Sequence, residues 1–248
     1  MTSSSASSVL DSMLEHWRSR PQDHLDNVGY ASDPKADKLV RENLVAFLMA
    51  SSIDRTGNST LIWNIPYYLQ QQWGHLDSAK IGKMDEEELA ASPIIARAPG
   101  LASRRHLAKT IISLAQVIED EHGGQPERLL DGSISDIMEN LQHVFGVGPN
   151  IARMIVILRI LYFGLKPAPG GRLLPKIDVH VQRVLTRAGV VPVCTEQALR
   201  PVLKDYSIEE IAIIDQVCWG LGQSCCMAKN PKCRECPIGF VCRKTSVN

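Results

Sequence analysis

Five of the seven cysteines in this 248-residue chain lie in one eighteen-residue stretch, CCMAKNPKCRECPIGFVC, from Cys225 to Cys242. An odd count in a chain with no visible secretory leader argues against a disulfide framework and for thiolates that hold a metal. Counted from Cys226, the spacing is C-x6-C-x2-C-x5-C through Cys233, Cys236 and Cys242. Four thiolates from so short a loop enclose either a tetrahedral zinc or an iron–sulfur cluster. The single C-x2-C knuckle and the wide outer arms lean toward the larger body without deciding between them. A bound group would staple a segment too small and polar to fold alone. It would also hold Lys229, Lys232, Arg234, Arg243 and Lys244 in a local basic patch opposed by Glu235. Cys225 abuts Cys226 and could exchange roles with it. Cys194 and Cys218 sit in or beside helical segments and read as buried small hydrophobes.

The elements that must position this loop are those of an ordinary globular chain. Apolar residues make up 44% and charged residues 22%, with a formal net charge of zero, so composition alone gives no push toward a polyanion. A second local patch, Arg97, Arg104, Arg105 and Lys109, reads first as a solvated face. No run approaches the ~20 apolar residues of a membrane span. MTSSSASSVL lacks a basic start and a long apolar core. The chain is expected to be intracellular, cytoplasmic and nucleoid-associated in a bacterium, with no membrane partner.

The pattern is helical almost throughout. Residues 1–8 are Ser-rich and expected to be disordered, followed by an apolar face on Val9, Leu10, Met13, Leu14 and Trp17 and a polar linker, RPQDHLDNVGYASDP. Helices are expected over about 35–50, with Leu39, Leu44, Phe47 and Leu48 inward, and over about 59–73. Asp85 with Glu88 and Ser207 with Glu210 form capping patterns, Ser103 is expected to cap a helix to about 121, and Ser133 one ending near His143. A very apolar helix over about 149–163 is separated by the non-helical KPAPGGRLLPK, residues 166–176, from the helical pattern IDVHVQRVLTRAG.

With the cysteine spacing at the end of a helical chain, the sequence resembles the endonuclease III and adenine-mismatch family of helix–hairpin–helix DNA glycosylases. The resemblance implies a 4Fe–4S cluster on Cys226, Cys233, Cys236 and Cys242. It also implies two upstream features, and both are present. VFGVGPNIARM supplies a helix–hairpin–helix at about 141–160, with Gly146 and Gly148 flanking Val147. Such a turn serves any tight helix pair, but bare backbone N–H groups at a helix start also bind phosphate regardless of base sequence. KIDVHVQRV matches the family's V-D-x-H-x-x-R-V pattern, with Asp178, His180 and Arg183 in register. Asp178 reads as a helix N-cap and, by resemblance, as the catalytic carboxylate; the roles are compatible, because a helix N-terminus favours the ionised form. In the first half, LMASSIDRT places Ser51 where the family has a gap-filling glutamine, and PGLASRR places Leu101 at an apolar wedge.

The implied fold is all-α, with two helical domains and a cleft between them. The first is a helical barrel over 32–164, and the second joins 1–31 to 165–248 around the cluster. The implied activity is hydrolysis of the N-glycosidic bond of a damaged or mispaired base in double-stranded DNA, by a monomer. Bifunctional members carry a lysine where this chain has Asn150, and an amide cannot form a Schiff base; this points to a monofunctional enzyme. Alkylated purines, which leave readily, or deaminated and mismatched pyrimidines are the expected substrates. Trp63, Tyr67 and Tyr68 offer faces for stacking or, more simply, for the core. Two alternatives stand beside this reading. One is a glycosylase/lyase that uses another lysine, Lys166 or Lys176. The other is a non-catalytic DNA-binding or redox-responsive iron–sulfur protein.

Overall fold

A computed structural model of the chain describes residues 3–20, 31–55, 59–97 and 101–247. Among these residues the secondary structure is helical, and the β-type pairing is an isolated bridge between Ser133 and Ala168. No described helix is long and apolar enough to cross a membrane. The chain divides into two compact units. One comprises Asn27–Val156 with Pro167–Gly171; the other comprises Met1–Asp26, Ile157–Lys166 and Arg172–Asn248.

In the second of these units, α1 (Ser3–Ser19) begins within the Ser-rich segment expected to be disordered. Its apolar stripe explains why. Val9, Leu10, Met13 and Leu14 are all at most 3% exposed, so burial carries a helix whose first turn has little propensity of its own. The polar linker that follows falls largely on residues 21–30, which lie outside the described residues.

The first unit opens with α2 (Pro34–Glu42) and α3 (Leu44–Ile53), where the sequence pattern predicts one helix. The break is Asn43. Its backbone N–H donates to the Leu39 carbonyl, ending α2, while its side chain accepts from Ala46 N at 2.9 Å, starting α3. Phe47 and Leu48 are buried as expected. The helix expected over 59–73 is also two, α4 (Ser59–Ile62) and α5 (Ile65–Trp73). Short helices α6 (Ser78–Ile81) and α7 (Glu86–Ala91) follow, the latter capped by Asp85 through Glu88 N at 2.9 Å. Both pack on the long α8 (Leu101–Asp120). That helix starts two residues before Ser103, which is therefore inside it rather than its cap. In α9 (Ile134–His143), Ser133 and Asp136 form a reciprocal capping box. Helix α10 (Pro149–Phe163) begins with proline at its first position, where the missing N–H costs nothing, and passes from the first unit to the second at residues 156 and 157.

The second unit continues with α11 (Val179–Ala188), α12 (Glu196–Val202) and α13 (Ile208–Ser224). Helix α13 opens on the Ser207–Glu210 capping box and packs against both α1 and α11. The boundaries depart from those expected at 164 and 165. The end of α10 belongs with the cysteine-rich unit, and residues 167–171 belong with the other. There Ala168 N donates to Gly132 O at 2.8 Å and Ile134 N to Gly170 O at 3.1 Å, tying the Pro/Gly-rich segment to the start of α9. The remainder of that segment buries Leu173 and Leu174 in the second unit.

Candidate active site and cysteine loop

Asp178 sits in extended backbone immediately before α11, and one carboxylate oxygen is taken up by the helix. Its Oδ1 accepts from His180 N at 2.8 Å and Val181 N at 3.0 Å. Its Oδ2 lies 4.0 Å from Lys176 Nζ, with both side chains about one-fifth exposed. The carboxylate is thus oriented by two backbone donors and the helix dipole while its second oxygen remains reachable.

Behind this pair lies Asp215, a group the sequence reading passed over. It is 4% exposed on an otherwise apolar stretch of α13. Its Oδ1 accepts from Lys176 N at 2.6 Å and its Oδ2 from Gln216 Nε2 at 3.2 Å. Burial pushes its carboxyl up from 3.8 to about 7; the Lys176 N–H opposes the shift and the Asp178 charge adds to it. Between these values the native protein keeps a proton that the unfolded chain has released. The stability from this group is fully present below about 3.8 and is lost as pH rises through about 7. Asp215→Asn should therefore flatten the fall in urea-unfolding free energy across that window; an unchanged slope would assign it to another group. Nearby, burial and then the Asp178 charge push the Cys194 thiol up to about 11, and burial raises Cys218 well above its ordinary value. Both are inert core thiols, as the sequence implied.

Helix α11 is bolted to the cysteine loop. Arg183 donates from Nε to Cys226 O at 2.6 Å and from its terminal nitrogens to Gly222 O at 2.7 Å and Val179 O at 3.2 Å. Arg187 reaches Met227 O at 2.7 Å, Ala228 O at 3.1 Å and the Cys226 sulfur at 3.7 Å. His180 packs where α13 has Gly222; a Cβ there would lie 2.6 Å from His180 Nδ1. His180 also lies 3.1 Å from an Arg183 nitrogen, so its ring braces the helix pair as well as being partly exposed. Removing the three Arg183 bonds with Arg183→Ala should cost about 2 kcal/mol of unfolding free energy. A variant as stable as wild type in denaturant titration would show the clamp to be idle.

All seven cysteines are unbridged. Cys226, Cys233, Cys236 and Cys242 are partly exposed. Burial first, and neighbouring thiols second, push Cys236 up to about 11 and raise Cys242. The loop turns tightly at Gly239, where a Cβ would meet Cys233 O at 2.6 Å, and Lys244 N donates to the Cys242 sulfur at 3.4 Å. Among the described residues no group of three or more His, Cys, Asp or Glu side chains is arranged to hold a metal ion. The donor set is nonetheless all sulfur, close enough for the thiols to perturb one another, with N–H groups aimed at two of the sulfurs; that chemistry fits a thiolate-bound group. Lys229, Lys232, Arg234 and Phe240 are exposed on this loop, Lys232 beside Glu235 at 3.7 Å.

In the other unit the hairpin joins α9 to α10. Gly146 has φ +83°, and a Cβ there would lie 2.5 Å from Arg55 and 2.8 Å from His106, so both conformation and space require glycine. Gly148 has open space on its Cβ side, as close backbone approach by a ligand demands. The Val147 side chain, at 4% exposed, belongs to the core. Asn150 is exposed, its Oδ1 accepting from Arg153 at 3.4 Å.

Ser51 is fully buried and its hydroxyl donates to Phe47 O at 2.7 Å, back-bonding within its own helix. Leu101 begins α8, but its side chain lies outside the described residues. Trp63 is also core, edge-on to Phe47, with its indole N–H on Asp54 at 2.9 Å. Exposed chemistry missed by the sequence reading gathers instead at Phe145. Its ring lies 5.0 Å from the His106 ring and 4.2 Å from Lys109 Nζ. Lys109 belongs to the basic run that reads from sequence as a solvated face; Arg105 of that run is paired with Glu87 at 3.0 Å.

No protein-family model matches the chain. Over 147 residues, 56% of this chain and 57% of the relative, it is 30% identical to endonuclease III of Bacillus subtilis (strain 168). It thus spans little more than half the length of that curated relative. Its fold superposes on a thermostable thymine-DNA glycosylase with a TM-score of 0.63, covering 96% of this chain and 95% of the other at 15% identity. At that identity the likeness is one of fold.

Proposed function

We propose that this chain, endonuclease III-like in sequence and a helix–hairpin–helix glycosylase in fold, releases a damaged or mispaired base from double-stranded DNA by hydrolysis. The observation that carries the reading is the Asp178 carboxylate, fixed by two backbone N–H groups through one oxygen and reachable through the other. Departure of a base builds positive charge on the sugar, and a preorganised anion stabilises it. The same oxygen then orients or deprotonates the water that adds to the sugar carbon, leaving an abasic site in an uncut strand. The target nucleotide must first leave the stack. Backbone N–H groups at Gly148 and the start of α10, with exposed Lys229 and Lys232 on the cysteine loop, are suited to phosphate. Unassisted departure suits bases that leave readily, with alkylated purines first and deaminated or mismatched pyrimidines second.

Cys226, Cys233, Cys236 and Cys242 are assigned as the ligands of a 4Fe–4S cluster, which supplies a structural cross-link for the loop. Ligation requires thiolates, so loading expels protons and retention should weaken in acid.

A second reading has one specific observation behind it. Lys176 Nζ, 4.0 Å from Asp178, could serve as the amine that Asn150 cannot be, making the enzyme a glycosylase with lyase activity. Duplexes bearing single defined lesions, assayed with and without alkali, separate the readings. Breaks only after alkali are the expected result. Breaks without alkali favour the lyase, and no base loss on any lesion favours a non-catalytic DNA-binding protein.

A further inference from the structure

Asp215 poses a question that packing does not answer. Its neighbours on α13, Ile211, Ala212, Ile213, Ile214, Val217 and Cys218, are all buried, and an aliphatic side chain there would complete the same core. A buried carboxyl is costly unless its bonds have a use. Its shorter bond reaches the backbone of Lys176, two residues before the carboxylate assigned to base release. Lys176 in turn accepts from Asp178 N through its own carbonyl at 2.8 Å and sets its ammonium 4.0 Å from Asp178 Oδ2. One buried acceptor therefore holds the short turn that fixes both the main chain and the cationic neighbour of Asp178. The charged and titratable groups around it are Lys176 and Asp178 from that turn and the thiol of Cys218.

We propose that Asp215 is a positioning residue for base release: by accepting the Lys176 N–H from within the core, it fixes the Lys176–Asp178 turn and hence the aim of the Asp178 carboxylate. The proposal rests on the reading of Asp178 above. It makes the rate, rather than DNA affinity, the quantity that depends on Asp215. Loss of its hydrogen bond would let the turn shift by a fraction of an ångström to an ångström, a displacement that costs about a hundredfold when it misaligns a reacting group.

The test compares Asp215→Leu, which fills the space without accepting, with Asp215→Asn, which keeps an acceptor for the same N–H. Single-turnover base release and affinity for a duplex carrying an abasic-site analogue are measured for both, with Asp178→Asn alongside. The leucine variant should release base about a hundredfold more slowly with its affinity within about twofold of wild type, and the asparagine variant should recover to within about fivefold. A leucine variant as fast as wild type overturns the proposal, as does an asparagine variant as slow as leucine. Should Asp215→Leu fail to fold by circular dichroism, Asp215→Ser, too short to reach the N–H, takes its place with the same two outcomes. Wild-type turnover in Asp178→Asn would overturn the assignment of Asp178. An inactive Asp178→Asn beside a fully active Asp215→Leu overturns the role of Asp215 alone.

Discussion

Asp178→Asn is expected to slow base release by about a thousandfold or more while leaving the fold and the affinity for abasic-analogue duplex intact. The asparagine oxygen can still accept from His180 N and Val181 N, at 2.8 and 3.0 Å in the native protein, so the cap of α11 survives. What disappears is the full negative charge beside the sugar. Removing one preorganised electrostatic partner of a developing charge typically costs about 10²–10³ in rate. Here the same group also handles the water, so the loss should sit at or above the top of that range. The split between rate and binding is the informative part. A variant that binds poorly would place Asp178 among the residues that grip DNA rather than those that act on the sugar. Asp178→Ala should add a stability loss of about 1 kcal/mol from the missing cap, which Asp178→Asn should not show.

The second large effect is expected at the cysteine loop. Between Cys225 and Cys242 one apolar side chain, Ile238, is fully buried among the described residues, too little burial to hold the segment. Its position depends on the bonds from Arg183 and Arg187 and on two main-chain bonds, Arg243 N to Ala188 O and Thr245 N to Arg187 O. Cys236→Ser should abolish the broad visible absorption and iron content of the purified protein and open the loop to limited proteolysis. Releasing the loop also releases the arginine bonds, a loss of about 4 kcal/mol that lowers Tm by about 10 °C in a chain of this size. Because the same arginines project from the helix that Asp178 caps, the rate should fall along with stability. A colourless, iron-free protein with unchanged Tm would show that the four thiols hold nothing. Zinc in place of iron would keep the structural role and remove the colour.

Much of this arrangement is legible from sequence because it is local. The Ser133 and Ser207 caps, the proline opening α10 and the aspartate opening α11 are short-range chemistry written in three or four residues, and each stands where the pattern places it. The errors have a different physical origin. Asn43 follows the charged pair Arg41 and Glu42 at the edge of an apolar run, and its bonds to Leu39 O and Ala46 N are what reveal that one helix is two. The serine-rich start of α1 is weak as a helix by propensity and is carried by a stripe buried against residues some two hundred positions away. Motif register carries no sign that the Ser51 and Val147 side chains are buried. Asp215 did carry a signal, a lone acid within IAIIDQVCW, but its meaning depends on Lys176, which no local pattern connects to it. Phe145 with Lys109 is a contact between the hairpin turn and α8 of the same unit and has no signature in either segment alone.

In the proposed reaction water, and not an amine of the protein, displaces the base. Sodium borohydride added during turnover on a lesion the enzyme processes tests it most directly, since any Schiff base would be reduced to a permanent protein–DNA adduct. Full base release with no adduct is the expected result. A borohydride-dependent adduct that maps to Lys176 and vanishes in Lys176→Gln would contradict it.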